Sequence, residues 1–202
     1  MNGTTIDDCD RQLVQIVDAA FAEAARRSGE WLVCRPGCTQ CCVSPFPISR
    51  LDARRLRQGL EALEGVDPPS ATRVRNRAEQ SVERLSSSFP GDPATGLLAA
   101  GDDGDALAEI AEDEICPALD PATGTCDLYA ARPMTCRTFG PPLRHESGLG
   151  VCELCYHGAT DAEIAACEVV PDPEGLEVSL NSRLGQDAGL YGHTLVAFAL
   201  VR

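Results

Sequence analysis

Nine of the eleven cysteines of this 202-residue chain fall into three blocks whose spacing could do metal chemistry. The blocks are, in order, Cys34, Cys38, Cys41 and Cys42, then Cys116, Cys126 and Cys136, then Cys152 and Cys155. Core packing does not explain four thiols within nine residues, two of them adjacent. Zinc sites and iron–sulfur clusters both take four cysteine thiolates. The spacing therefore predicts a site for a thiophilic metal.

The number of clustered thiols leaves the kind and number of sites open. Adjacent residues such as Cys41 and Cys42 do not readily adopt disulfide geometry. Each of the two thiols can serve its own metal, or one can bind metal while the other stays available for chemistry. Two metal sites, or one site together with a redox-active thiol pair, both agree with nine clustered cysteines. Cys9 and Cys167 stand apart and are interpreted as plain buried or half-buried thiols.

Charge and composition exclude several classes of function. The chain carries a formal charge of −14 and its basic residues are all arginine, without a single lysine. The acidic balance argues against nucleic acid as the main partner, since phosphate binding needs local positive charge. The absence of lysine excludes Schiff-base, lysine-nucleophile and P-loop chemistry. His145, His157 and His193 are interpreted as surface or structural residues, which leaves cysteine as the expected ligand type.

The cysteine usage and the start of the sequence indicate a reducing compartment. The first residues show neither a basic nor an apolar segment, so no signal peptide is expected. No apolar run approaches the ~18 residues of a membrane span. Cysteines make up about 5% of the chain, which is below the fraction found in disulfide scaffolds. Because their number is odd, at least one cysteine would stay unpaired if the others formed disulfides. We therefore expect a cytoplasmic protein whose cysteines bind metal, with no membrane and no nucleic acid as partner.

The elements that must position these thiols are predicted to be mostly helices and loops. Apolar residues at helical spacing predict α-helices over 7–27, 50–64 and 70–85. Gly29 and Gly65 are placed to end the first two helices. The third helix carries arginines that are predicted to form a solvated face. These arginines are Arg73, Arg75, Arg77 and Arg84.

The remaining segments are predicted to be loop-rich. Residues 32–47 are expected to form a loop around the first cysteine block, and 115–144 to hold only short regular structure. Residues 86–104 are predicted to be a mobile insertion, followed by a helical turn over 105–113. Thr160 and Glu163 have capping-box spacing for a short helix, and the apolar tail from 195 to 201 should pack as a strand or a helical turn. The expected fold is a mainly α, small, single-domain cysteine-cluster fold with irregular loops, covering residues 1–202.

The order of the motifs resembles the YkgJ-type cysteine cluster family. The resemblance covers about 34–155 and depends on the vicinal pair, the Cys-Pro at 116–117, and the Tyr-x-x-Arg-Pro-x-x-Cys-Arg segment at 129–137. The family is described as a zinc- or iron-chelating domain, and its members are also called Fe–S-cluster-containing proteins. The resemblance implies as ligands Cys34, Cys38, Cys41, Cys42, Cys116, Cys126 and Cys136. The pair Cys152 and Cys155 extends this set.

Three arginines close to the cysteine blocks are candidates for binding the cofactor by balancing its negative charge. A Cys₄ zinc site and an oxidised Cys₄ four-iron cluster each carry about −2, which favours nearby cations. Arg35, Arg132 and Arg137 are therefore predicted to stabilise the loaded site. The alternative for Arg132 is that it holds its own loop through a backbone carbonyl or a carboxylate.

Three functions follow from these observations. The first is an iron–sulfur protein, with a four-iron cluster or chelated iron, acting in electron transfer or in an Fe–S-dependent modification reaction. The second is a zinc-chelating structural or interaction module without catalysis. The third is a thiol redox or metal-handling protein. The three-cysteine spacing of radical SAM enzymes is also present, but no alternation of strands and helices follows it. The protein partner, the substrate and whether the chain is an enzyme stay open.

Overall fold

The structure, a computed structural model, describes residues 5–100, 111–145 and 148–202. Of the described residues 52% are helical and the strands are short, which confirms the mainly α fold with irregular loops. In the described residues the α-helices are α1 Ile6–Ser28, α2 Arg50–Val66, α3 Pro68–Leu85, α4 Met134–Arg137, α5 Asp161–Ala166, α6 Leu176–Ala188 and α7 Val196–Val201. Most of the helical turn predicted over 105–113, and residues 101–104 of the predicted insertion, lie outside the described residues.

Helix α1 forms where the apolar spacing predicts it. Thr5 and Asp8 form a reciprocal capping box at its start, and Gly29 caps its end with φ 51°. The apolar side of the helix is buried, as Leu13, Val17 and other residues at the same spacing show. Local capping and helical periodicity therefore agree, and the prediction for 7–27 is confirmed.

The junction of α2 and α3 differs from the prediction. Helix α2 begins after Ser49, whose side chain accepts the Asp52 N–H, but it runs past Gly65 to Val66. The prediction that Gly65 ends the helix is therefore wrong. The physical reason is Pro68, which disfavours helical backbone at the preceding Asp67. Asp67 closes α2 and also caps α3 by accepting the Ser70 N–H at 3.2 Å.

Within the described residues the strands pair as four separate antiparallel ladders. They are β1 Ile48–Ser49 with β8 His193–Thr194, β2 Gly91–Asp92 with β3 Leu97–Leu98, β4 Leu119–Asp120 with β5 Thr125–Cys126, and β6 Leu143–His145 with β7 Gly148–Gly150. The β2–β3 hairpin lies inside the predicted insertion, where Phe89 and Leu98 are buried in a core cluster. The mobility of this insertion stays a prediction.

The chain divides into two compact units. The first unit comprises Met1–Arg35 and Met134–Arg183, and the second comprises Pro36–Pro133 and Leu184–Arg202. The core of the second unit is formed by α2, α3 and α7, with residues such as Leu56 and Val74 fully buried. In the first unit α1 packs against α4. A single domain over 1–202 remains a prediction.

The C-terminal part holds one helix that the pattern predicted and one that it did not. The apolar tail forms α7, one of the two alternatives expected for 195–201. Helix α6 was not predicted, although Leu180 and Leu184 are buried at helical spacing. Among the described helices, none combines the length and apolar character needed to cross a membrane.

Candidate metal centre

In the second unit, backbone hydrogen bonds join the first and second cysteine blocks directly. Cys41 and Cys42 lie in a 3₁₀ turn, Gln40–Cys42. The Cys116 N–H donates to the Cys42 carbonyl at 2.8 Å, and the Ser44 N–H donates to the Glu114 carbonyl at 3.0 Å. Between these two bonds, Val43 and Ile115 form an antiparallel β-bridge. Two cysteine segments that lie far apart in the sequence are thus side by side.

The β4–β5 hairpin brings Cys126 to the same place. The Leu119 N–H donates to the Cys116 carbonyl at 3.0 Å, and Leu119 is the strand partner of Cys126. Just after the hairpin, the Asp127 N–H donates to the Ala118 carbonyl at 2.8 Å. Cys126 therefore lies in this short two-stranded ladder, and Cys116 lies three residues before its first strand.

The tip of this hairpin contacts the loop of the first cysteine block. Gly124 has φ +66°, and its N–H donates to the Asp120 carbonyl at 2.9 Å. A Cβ atom at Gly124 would lie 3.5 Å from the Gly37 Cα, with no contact shorter than that. The positive φ makes glycine the favoured residue at this turn, because other residues pay a steric cost there.

The charges of three sulfurs in this unit act on one another. A hydrogen bond from the Cys42 thiol lowers the pKa of Cys41 to about 6, against the effect of burial, and the Arg132 guanidinium adds to the lowering. Burial, together with negative charge on Cys126 and Cys41, raises the pKa of Cys116 to about 12. Burial also raises the pKa of Cys126. A bound cation would stabilise the thiolates against both the cost of burying their charge and their mutual repulsion.

Backbone N–H groups already point at two of these sulfurs. The Ala118 N–H donates to the Cys116 sulfur and the Leu128 N–H donates to the Cys126 sulfur, while the Leu119 N–H, which bonds to the Cys116 carbonyl, adds a weaker interaction with the same sulfur as Ala118. Each of these bonds lowers the pKa of its thiol by favouring the thiolate, which is the form that binds metal. The donor set and its surroundings therefore fit a thiophilic metal in chemical type. In geometry, no three His, Cys, Asp or Glu side chains within 5–100, 111–145 and 148–202 are arranged to hold a metal ion.

Arg77 of α3 ties this region to the helical core. Its Nε donates to the Pro117 carbonyl at 2.8 Å, and its Nη2 pairs with Asp127 at 2.7 Å. The two side chains are only 22% and 17% exposed. The prediction of a solvated arginine face is therefore wrong for Arg77. Charge counting missed this residue because its partners belong to the second cysteine block, which the sequence places 40 to 50 residues away.

The three predicted charge-binding arginines have different surroundings. Arg132 donates to the Tyr129 carbonyl at 3.1 Å and lies 3.9 Å above the Tyr129 ring, while its charge lowers the pKa of Cys41. It thus holds its own loop and also acts on a thiol. Arg35 is exposed. Arg137 lies in the first unit, where it is buried and donates to both carboxylate oxygens of Asp18 at 2.9 and 2.8 Å. No sequence pattern indicated Asp18 as its partner.

The first unit contains a second group of thiols. Cys152, Cys155 and Cys167 are buried in one cluster with Tyr156. The Cys155 N–H donates to the Cys152 carbonyl at 2.9 Å, which forms a turn between the two thiols. Cys167, which caps the end of α5, is hydrogen-bonded to the Tyr156 hydroxyl. Cys167 was predicted to be buried but was not predicted to share a cluster with the third block.

Cys34 also belongs to the first unit and contacts this neighbourhood through Gly140. Gly140 has φ +120°, and a Cβ there would lie 3.1 Å from the Cys34 sulfur. The Gly140 carbonyl accepts the Cys152 N–H at 3.3 Å. Cys136 lies half-buried in α4 of the same unit. Gly140 therefore lies where its backbone comes close to the Cys34 sulfur and also bonds to the main chain of Cys152.

The predicted ligands are thus distributed between the units. The second unit holds Cys38, Cys41, Cys42, Cys116 and Cys126, and the first holds Cys34, Cys136, Cys152 and Cys155. Cys9 is half-buried in α1, whereas His145, His157 and His193 are exposed. All eleven cysteines lie in described residues, and none of them forms a disulfide.

Comparison with known proteins agrees with this chemistry. Residues 33–156 match the CxxCxxCC family, described as "Putative zinc- or iron-chelating domain". The comparisons with curated proteins and with solved structures gave no match. The family supports metal binding by the clustered cysteines and leaves the choice between zinc and iron open. Because the match covers more than half of the sequence, the chain belongs to the CxxCxxCC zinc- or iron-chelating family.

Proposed function

We propose that the second unit binds an iron–sulfur cluster, or chelated iron, through thiols of the first and second cysteine blocks. The protein would use it in electron transfer or in an Fe–S-dependent modification reaction in the reducing cytoplasm. One observation carries the proposal: the Cys116 N–H donates to the Cys42 carbonyl at 2.8 Å, so the main chain itself places the two blocks together. Cys41 and Cys126 lie close enough for their charges to act on Cys116.

The number and setting of the thiols favour iron over zinc. Five cysteines in the second unit exceed the four ligands of one site. N–H donors to the sulfurs of Cys116 and Cys126 are among the features that set the potential of a cluster. When bound, an iron–sulfur cluster supplies one-electron transfer. A fifth thiol beside it, from the vicinal pair, would stay available for redox chemistry.

The chain's own residues have distinct parts in this proposal. Cys38, Cys41, Cys42, Cys116 and Cys126 are the candidate ligands, and the N–H groups near Cys116 stabilise thiolate charge. Arg132 places positive charge near Cys41. Arg77 holds the chain after Cys116 and Cys126 against α3. Burial of the sulfur of Cys116 limits its contact with water.

A zinc-chelating structural module is the second candidate. The buried group formed by Cys152, Cys155 and Cys167 favours it, because structural zinc sites are closed to solvent. Such a site would contribute folding energy without redox chemistry. The two candidates can coexist, one in each unit, and they differ in metal content.

The test is anaerobic purification without chelators, followed by a visible spectrum and quantification of iron, zinc and acid-labile sulfide. Cys116→Ser and Cys152→Ser each remove one candidate ligand, and Cys9→Ser is the matched control. The proposal expects a brown protein with similar amounts of iron and sulfide, and loss of colour in Cys116→Ser but not in Cys9→Ser. A colourless protein with tightly held zinc and no sulfide would overturn the iron–sulfur assignment in favour of the zinc module.

A further inference from the structure

A cavity in the second unit lies away from the cysteines and is lined by arginines. It is formed by the start of α2, the β2–β3 turn, β8 and α7. Its principal lining residues are Arg50, Arg57, Thr95, Thr194, Phe198 and Arg202. Three guanidiniums around one cavity are unexpected in a chain with a formal charge of −14. They indicate that the cavity serves a negatively charged group.

Arg50 carries a buried donor without a partner. Its Nε is buried and forms no hydrogen bond to any residue that the structure describes. Leaving a buried donor unsatisfied is destabilising, and more so for a charged group. Burial also lowers the pKa of Arg50. Arg50 is the first residue of α2, where the helix dipole disfavours a cation. An anion in the cavity would remove each of these penalties.

Arg57 lies one to two helical turns further along α2 and is also poorly compensated. Its Nη1 reaches the Ala199 carbonyl only at 3.5 Å. Burial lowers the pKa of Arg57, and the charges of Arg50 and Arg54 lower it further, while Glu61 acts in the opposite direction. No ion pair within 4.0 Å is formed by Arg50 or Arg57 in the described part of the chain. Mutual repulsion of two half-buried cations is relieved by an anion between them.

The other lining groups are already engaged and shape the cavity. The Thr194 hydroxyl donates to the Gly96 carbonyl at 2.6 Å, and the Thr95 hydroxyl donates to Asp92 at 2.7 Å. Arg202 donates to the carbonyls of the β2–β3 turn, and its guanidinium lies 5.6 Å from the Phe198 ring. The buried donor without a hydrogen-bond partner in the described residues, the Arg50 Nε, therefore belongs to α2.

We propose that this cavity is a binding site for the phosphoryl group of a small molecule, held by Arg50 and Arg57. Guanidiniums match the oxygens of phosphate in a fork geometry. A phosphate monoester carries about −1.5 to −2 at neutral pH, which matches the two positive charges of Arg50 and Arg57. The Phe198 ring offers apolar contact to the rest of the ligand. The site is independent of the proposed metal chemistry.

The test is isothermal titration calorimetry of the full chain with inorganic phosphate, and with acetate as a singly charged carboxylate. Arg50→Gln and Arg57→Gln remove the proposed donors, and Arg75→Gln, which changes a half-buried arginine of α3 paired with the exposed Glu64, is the matched control. We expect phosphate to bind the wild-type chain and Arg75→Gln alike, and both cavity variants to lose at least about tenfold in affinity, as lost charge-assisted bonds imply. Acetate should bind more weakly than phosphate.

Thermal melting separates loss of binding from loss of folding. Without phosphate, Arg50→Gln should melt at or above the wild-type temperature, because it removes an unsatisfied buried donor. Arg57→Lys keeps the charge without the fork, so it should fold and bind phosphate more weakly. Absence of binding by the wild-type chain at about 10 mM phosphate, where a relevant site would raise the melting temperature, would overturn the proposal. Equal affinity for phosphate in wild type and Arg50→Gln would also overturn it.

Discussion

The guanidinium of Arg77 and the carboxylate of Asp127 form a 2.7 Å ion pair beside the second cysteine block. The same guanidinium donates to the Pro117 carbonyl at 2.8 Å. Pro117 follows Cys116 and Asp127 follows Cys126, so one side chain of α3 holds the neighbours of two predicted ligands. The helical core thereby fixes the position of a loop-borne metal-binding segment.

We expect Arg77→Gln to lower both the stability and the metal retention of the protein. The change leaves the largely buried Asp127 carboxylate and the Pro117 carbonyl without their donor. Breaking a partly buried charge pair on one side costs about 1–3 kcal/mol, less than a fully buried pair. Urea unfolding measures the stability, and metal content after dialysis measures retention. Arg75→Gln, whose partner Glu64 is exposed, should change stability by no more than about 0.5 kcal/mol. Equal effects of the two variants would contradict the role given to Arg77.

The turn at Gly124 provides a second test of the same region. Gly124→Ala places a Cβ on a residue with φ +66°, so we expect a loss of about 1 kcal/mol or more in unfolding free energy. Gly65→Ala is the matched control, since Gly65 lies inside α2 with open space around it. That change should stabilise the protein by up to about 1 kcal/mol. Thermal or urea unfolding compares the two, and a Gly124→Ala protein as stable as wild type would contradict the strained turn.

The helices were predictable because their signals are local. Thr5 and Asp8 cap α1, and residues spaced like Leu13 and Val17 are buried, as periodicity requires. The end of α2 was misplaced at Gly65, because the effect of Pro68 on the preceding residue outweighed the glycine. The spacing of the cysteines alone also predicted metal binding.

The partners of the candidate site were not predictable, because they depend on contacts between distant segments. The sequence shows that Arg77 is basic, but its contact with Asp127 follows only from the packing of α3 against the second block. Cys167 stands alone in the sequence and joins Cys152 and Cys155 only in the folded first unit. Asp18 likewise reaches Arg137 through the packing of α1 against α4.

The contact between Arg137 and Asp18 leads to a prediction for the first unit. The Arg137 side chain is 1% exposed, whereas Asp18 is 45% exposed. Asp18→Asn keeps the shape of the side chain and removes the charge, so the buried guanidinium loses this ionic partner. We expect a loss of about 1–3 kcal/mol in urea unfolding. Glu23→Gln, which affects an exposed pair with Arg26 on the same helix, should change stability by about 0.5 kcal/mol or less.

The same variant distinguishes two roles for Arg137. If the arginine stabilises α4 against α1, Asp18→Asn should lower the stability of the metal-free and the metal-loaded protein alike. If Arg137 instead offsets the charge of a bound metal site, as its position beside Cys136 predicts, the loss should appear mainly in the metal-free protein, because the negative charge of the loaded site would then compensate the guanidinium. Unfolding curves recorded with and without bound metal decide between these outcomes.

Metal removal should loosen the link between the two cysteine blocks. The amides of Cys116 and Ser44 bond across the blocks at 2.8 and 3.0 Å, but the strands around them are only two residues long. Short ladders contribute little stability by themselves, so a bound metal would have to hold the segments together. We expect both amides to exchange with deuterium at least about tenfold faster after chelation, as an opening cost lower by about 1.4 kcal/mol implies. The Ser86 amide, which bonds to the Val82 carbonyl at 2.9 Å at the end of α3, is the internal control and should change little. Equal exchange of Cys116 and Ser44 before and after chelation would show that the backbone alone maintains this contact, and that metal binds elsewhere in the chain.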